Sequence, residues 1–254
     1  MMITATYFGA NGWLLDFDGF RVLLDPWLQG ELVFPPGRWF FAGRLPHPWP
    51  VPGDLHLLLL TQGLPDHCHP PSLALLDPAL PVVGSASAAA RTRELGFRNV
   101  TALEPGQTHQ AGALRIRATA GAPVPQVENG YRLDHPAGSL YLEPHGYLDP
   151  DLPPEPLDAV ITPVVDLSLP LAGAFVRGRA VLPRLLERFR PATVLASTAG
   201  GAVRFEGLLT RALRQQGDSG EAAAVVGADP APDRPARRFI DPVPGQAYRL
   251  APSP

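Results

Sequence analysis

Three short apolar runs, Ile3 to Phe8, Trp13 to Phe17 and Phe20 to Leu24, follow one another with the dipeptides Asn11-Gly12 and Asp18-Gly19 between them. Such dipeptides adopt the positive φ angles of two-residue hairpin turns, so the chain opens as an antiparallel meander. A meander has an apolar face that another layer must cover. The run Leu55 to Leu60 reads as a buried strand. Ser85 to Leu95 reads as a helix, with Ser85 as N-cap and Gly96 where a C′ glycine belongs. Further strands are predicted at Val100 to Leu103, Leu114 to Ala118, Gly130 to Leu133 and Ser139 to Leu142. Asp158 to Thr162, Thr193 to Ala196, Phe239 to Ile240 and Ala247 to Leu250 read the same way. Leu182 to Phe189 and Phe205 to Gln215 read as helices. Residues Leu32 to Pro50 hold Phe34, Trp39, Phe40, Phe41 and Trp49 among five prolines, which argues for an irregular loop there. Gly217 to Arg237 is rich in Ala, Pro and Gly and reads as loose. No boundary divides the chain, so residues 1–254 read as one α/β (α+β) unit of sheets flanked by helices. One faint repeat exists: Pro105-Gly106-Gln107 and Pro244-Gly245-Gln246 each introduce a late strand.

Composition narrows the function. The net charge of −3 gives no electrostatic footing for nucleic acid or an anionic membrane. All 21 basic residues are Arg, so a Walker loop with its Lys is impossible. No Gly-x-Ser-x-Gly elbow occurs. Cys68 is the lone cysteine, and the N-terminus lacks the basic and apolar regions of a secretory signal. No apolar run approaches the ~18 residues of a membrane span. The expectation is a cytoplasmic protein that meets a small molecule.

The chemistry-bearing residues cluster after strands. Thr61-Gln62-Gly63-Leu64-Pro65-Asp66-His67-Cys68-His69 follows the leucine run, and Glu143-Pro144-His145-Gly146-Tyr147 follows Ser139 to Leu142. Strand ends fix a backbone while leaving side chains accessible. Imidazole and carboxylate together suit zinc, iron or manganese. Ser197 to Gly201 forms a small-residue loop after a third strand, and with Arg204 it could hold an anion. The aromatic loop around Trp39 reads as packing or as the wall of an apolar pocket.

In this order, the pieces resemble the metallo-β-lactamase superfamily, in particular its ascorbate-6-phosphate lactonase-like branch. Asn11-Gly12-Trp13-Leu14-Leu15 and Arg21 to Pro26 look like that branch's opening hairpin and Asp-Pro turn. Thr61 to His67 stands where the family carries His-x-His-x-Asp-His. The resemblance implies a four-layer αβ/βα sandwich with metals on one edge. It also implies a first metal held by three His and a second held by the Asp and two His, with a further Asp bridging. Here Gln62 and Leu64 replace the first two His, and Thr119 to Ala122 offers no third. His145 falls where the bridging Asp is expected, and Thr198 where the last His is expected. Asp66, His67 and His145 are therefore the expected ligands of a single zinc, iron or manganese ion, with His69 or Glu143 as a further ligand or supporting group. Asp66, His67, Glu143 and His145 are the expected catalytic residues, and Gln62, Thr198, Gly200 and Trp39 the expected pocket. The activity implied is hydrolysis of an ester, lactone or phosphate-ester bond. The alternative is a catalytically silent protein that binds a small molecule or a protein in a metal-free cleft, and metal-free acid–base catalysis is a third.

Overall fold

The computed structural model describes residues 2–123, 127–170, 173–197, 201–228 and 236–250. In chain order, β1 (Ile3–Gly9), β2 (Gly12–Phe17) and β3 (Phe20–Leu24) form the meander. Then come β4 (Glu31–Phe34), β5 (Phe41–Arg44), β6 (Leu57–Leu60), α1 (Pro70–Leu73), β7 (Val82–Gly84), α2 (Ala86–Glu94) and β8 (Val100–Ala102). The middle of the chain gives β9 (Thr108–Ala111), β10 (Leu114–Ala120), β11 (Asn129–His135), β12 (Gly138–Leu142), β13 (Ala159–Pro163), β14 (Asp166–Leu169) and β15 (Gly173–Arg177). The remainder is α3 (Gly178–Phe189), β16 (Thr193–Ser197), β17 (Arg204–Glu206), α4 (Leu208–Ala212), β18 (Arg214–Gln216), α5 (Ser219–Gly227), β19 (Arg238–Ile240) and β20 (Ala247–Leu250).

Two seven-stranded mixed sheets carry the fold, ordered β20-β1-β2-β3-β6-β7-β8 and β19-β16-β13-β12-β11-β10-β9. Their facing sides share one core, where Tyr7, Trp13, Leu15 and Phe17 meet Ile116, Tyr131, Leu140 and Leu195. Each large apolar side chain buried there contributes about 1.5–3 kcal/mol. The outer face of the first sheet packs Leu14, Leu23, Leu58 and Val82 against Leu73 of α1 and Ala88 of α2. The outer face of the second packs Val160 against Val181, Leu185 and Phe189 of α3, and Val194 against Ala222 and Val226 of α5. The layers are thus helix, sheet, sheet, helix, as the resemblance implies.

The sheets are built alike. Each runs through three antiparallel pairings, with a hairpin-forming meander at their centre, and then through three parallel ones. The faint Pro-Gly-Gln repeat marks this duplication. Gly106 and Gly245 both have positive φ, and their N–H groups donate to Ala118 O on β10 and Tyr7 O on β1, the fifth residue of each strand. The strand after each turn, β9 or β20, then closes the antiparallel edge of a sheet.

Three expectations fail. Residues 32–50 are not wholly irregular: β4 and β5 form a hairpin, because Pro35 and Pro36 fall in its turn and the other prolines follow it. Phe205 to Gln215 is not one helix. Gly207 has φ +115, Phe205 stacks on Phe41, and β17 pairs with β5, which leaves only the short α4 before β18. The stretch 217–237 contains α5, whose first turn is capped by Asp218 accepting from Glu221 N. Residues 229–235 lie outside the described residues. No described helix is long and apolar enough to cross a membrane.

Candidate functional site

The leucines of β6 are buried on both sides, so the chain leaves the sheet interior directly into Thr61 and Gln62. Gly63 then passes so close to α2 that a Cβ would lie 2.7 Å from Ser87 O, and its N–H donates to Ser87 Oγ. That contact requires glycine there. The loop tightens as the His67 and Cys68 N–H groups donate to Leu64 O, and Pro70 starts α1. This turn carries His67 back under the strand ends, where it is fully buried.

Asp25, at the end of β3, fixes the ring. Thr61 N and Thr61 Oγ1 donate to its two carboxylate oxygens, at 2.8 and 2.5 Å. His67 Nδ1 donates to Asp25 Oδ2 at 2.8 Å and lies 2.9 Å from Thr61 Oγ1. Both partners accept, so the Nδ1 proton is assigned and Nε2 faces the site. Around Nε2 stand Asn11 Nδ2, Gln62 Nε2 and Asp66 Oδ2, each at 3.2 Å. Burial disfavours the imidazolium, yet Asp66 and Asp25 together hold its pKa well above the ordinary value. Burial likewise works against Asp66, but the charge of His67 brings its carboxyl below the usual range.

The second half of the molecule supplies the other wall. His145 Nδ1 lies 2.7 Å from Glu128 Oε2, which also accepts from Gln62 Nε2 at 3.0 Å. The rings of His67 and His145 are 5.4 Å apart. Glu143 accepts from Tyr147 N at 2.6 Å through Oε2, while its buried Oε1 has no partner among the described residues. Gln62 Oε1, Asp66 Oδ1 and Thr119 Oγ1 share that condition. Burial raises Glu128 to about 7. Burial, with the charge of Glu128 nearby, raises Glu143 well above the carboxylate range, and burial together with His67 lowers His145. A cavity of about 10 Å³ adjoins the cluster, lined in part by Asp25, Thr61, Glu143, Trp13 and Ser197.

His67, Glu128 and His145 bring one ligand atom each within 4.8 Å of one another. The set fits a transition-metal ion by type: two imidazoles and a carboxylate, with one ring oriented by a carboxylate behind it. Burial lifts Glu128 and Glu143, and a cation among these buried acids would offset the cost of ionising them. Glu128 was not foreseen. It stands in an irregular stretch before β11, far along the chain from His67, and its only sequence signal is being the sole carboxylate between β10 and β11.

The remaining expected residues take varied places. Asp66 stays beside His67 Nε2 but lies outside the group of three. His69 does not join the cluster. Its Nδ1 meets Ser72 Oγ at 2.9 Å, its Nε2 donates to Glu31 O at 3.2 Å, and its ring packs on Trp27. Burial lowers its pKa, in keeping with a neutral structural pin. Gln62 does not line an open pocket; it is fully buried inside the cluster. Trp39 is 65% exposed at the turn between β4 and β5, edge-on to Phe40. Arg204 is exposed on β17, and Thr198, Ala199 and Gly200 lie outside the described residues.

No curated protein matches the chain. Solved structures share its fold at low identity. Igni18, a metallo hydrolase from the archaeon Ignicoccus hospitalis, is 14% identical with a TM-score of 0.64, covering 99% of both chains. An isothiocyanate hydrolase from Delia radicum gut bacteria is 18% identical with a TM-score of 0.60, over 77% of this chain and 84% of its own. A possible metal-dependent hydrolase from Veillonella parvula is 15% identical with a TM-score of 0.60, over 78% and 86%. The family model for the beta-lactamase superfamily domain matches residues 4–197, which is most of the length and carries every residue of the cluster. The chain belongs to the beta-lactamase superfamily.

Proposed function

We propose that this protein is a divergent hydrolase of the superfamily, in the ascorbate-6-phosphate lactonase-like branch, with a mononuclear metal site. Its substrate class would be a small ester, lactone or phosphate ester. The supporting observation is the convergence of His67, Glu128 and His145 on one point, with His67 anchored from behind by Asp25. These three residues would hold zinc, iron or manganese. A bound ion of this kind polarises a carbonyl or phosphoryl oxygen and makes water a nucleophile near neutral pH. Asp25 and Thr61 orient the His67 ring. Asp66, ionised and partly exposed, accepts a proton at Oδ2. Glu143, held protonated, donates one from its carboxyl.

The test is metal content by mass spectrometry on untagged protein, beside His67→Ala and His145→Ala. Close to one ion per chain, lost in both variants, is the expected result. No ion after reconstitution sinks the reading.

A second reading has its own observation. The Glu128 carboxylate and His67 Nε2 already have hydrogen-bond partners within the protein, as a metal-free binding cleft would require. It predicts no metal and no hydrolysis of any ester or phosphate ester.

A further inference from the structure

Gln62 takes the place of the family's first histidine, yet it makes no opening in the site. Its amide nitrogen lies 3.2 Å from His67 Nε2 and 3.0 Å from Glu128 Oε2. Those are two of the three residues whose ligand atoms converge. An amide NH2 has two hydrogens, one for Glu128 Oε2 and one for His67 Nε2 in the neutral ring that metal binding also requires, so it does there by hydrogen bonding what a cation would do by coordination. The reverse orientation would turn the carbonyl oxygen toward Glu128 Oε2, a repulsion once that carboxyl is ionised, as it must be to hold a metal. The arrangement is a compromise, since Oε1 is left buried with no partner among the described residues, at a cost of about 1–3 kcal/mol. Amide nitrogen and metal ion cannot share the space between the imidazole and the carboxylate.

We propose that Gln62 is a built-in competitor for the metal, whose side chain must leave the gap between His67 and Glu128 before an ion can enter. The proposal rests on the metal reading above. It makes residue 62 the determinant of how tightly the site binds an ion, through displacement rather than ligation.

Calorimetric titration of chelator-treated wild type, Gln62→Ala and Gln62→Ala/His145→Ala with zinc alone and manganese alone tests it. The expected result is one ion per chain, bound about tenfold or more tightly by Gln62→Ala than by wild type, and lost in the double variant. Equal binding by wild type and Gln62→Ala overturns the competitor and leaves the metal site standing. Weaker binding by Gln62→Ala also overturns it, and makes Gln62 a ligand. No binding to any chain overturns both proposals. If Gln62→Ala fails a thermal-melt check, Gln62→Asn draws the amide back by one methylene and carries the same expectation in direction.

Discussion

Asp25 and Glu143 occupy equivalent places in the two halves of the chain. Each follows the last strand of a meander, and each donates its backbone N–H to the neighbouring parallel strand, at Leu59 O and Ile161 O. Their side chains fare differently. Asp25 has donors on both oxygens and an imidazole against one of them, whereas Glu143 leaves one buried oxygen without a partner. The difference comes from the loops that follow. After β6 the chain turns back through Gly63 and Pro65 and returns His67 to Asp25, while after β13 it runs on into β14 with no histidine to return. One strand plan used twice therefore gives one carboxyl group with partners on both oxygens and one that burial keeps protonated.

The largest effect should come from breaking the paired side. Asp25→Ala leaves His67 and Thr61 without their buried acceptor and should cost about 3–5 kcal/mol in denaturant unfolding. A loss under about 1 kcal/mol would show that the pairing carries no weight. Next is the pH response of chelator-treated protein. A group whose pKa rises on folding gives stability that is whole below its unfolded pKa and drains as pH climbs through the folded value. His67, Glu128 and Glu143 all shift up. His69 and His145 shift down, and their opposing contribution is complete above about pH 6.5, as that of Asp66 is above about pH 4. Between about pH 6.5 and 8.5 stability should therefore fall, by about 1.4 kcal/mol per pH unit for each proton retained by the native chain. A rising melting temperature across that window would contradict the assignment.

His69→Ala separates the two histidines of one loop. It should cost about 1–3 kcal/mol through the orphaned Ser72 and Glu31 contacts, and leave metal content as in wild type. Loss of metal would place His69 in the site after all. The smallest effect is expected on the unpaired side. Glu143→Gln replaces a protonated carboxyl by an amide of the same shape and should stay within about 1 kcal/mol at neutral pH. A large loss there would mean that Glu143 is ionised, and partnered on both oxygens as Asp25 is.

Most of the fold was legible because its strands are local events. The meander, the leucine strand, the capped α2 and the β10 to β13 series each carry their own apolar run and turn residues. The region from 204 to 228 was not. β17 is a strand only because β5, far back in the chain, offers it an edge and Phe41 offers Phe205 a ring to stack on. Within the site, the Asp66-His67 pair and the strand-end place of Glu143 and His145 could be read from the chain. Glu128 could not, since nothing local distinguishes a ligand from a solvated loop acid. Nor could the opposite fates of His67 and His69. Neighbours on one loop, they differ because one ring meets the carboxylates of Asp25 and Asp66, and the other a hydroxyl and a carbonyl.

By itself, then, the sequence determined most of the strands, the capped α2, the Gln62 and Leu64 that the resemblance sets in place of two histidines, and the absence of Lys-based phosphate chemistry. These follow from apolar periodicity, turn residues and residue identity, all of which act over a few positions. Only the tertiary structure decided which acid joins the histidines, which histidine is merely a pin, and that the Gln62 amide lies between His67 and Glu128. Those outcomes depend on which polar groups are buried together, and burial joins residues that the chain keeps far apart.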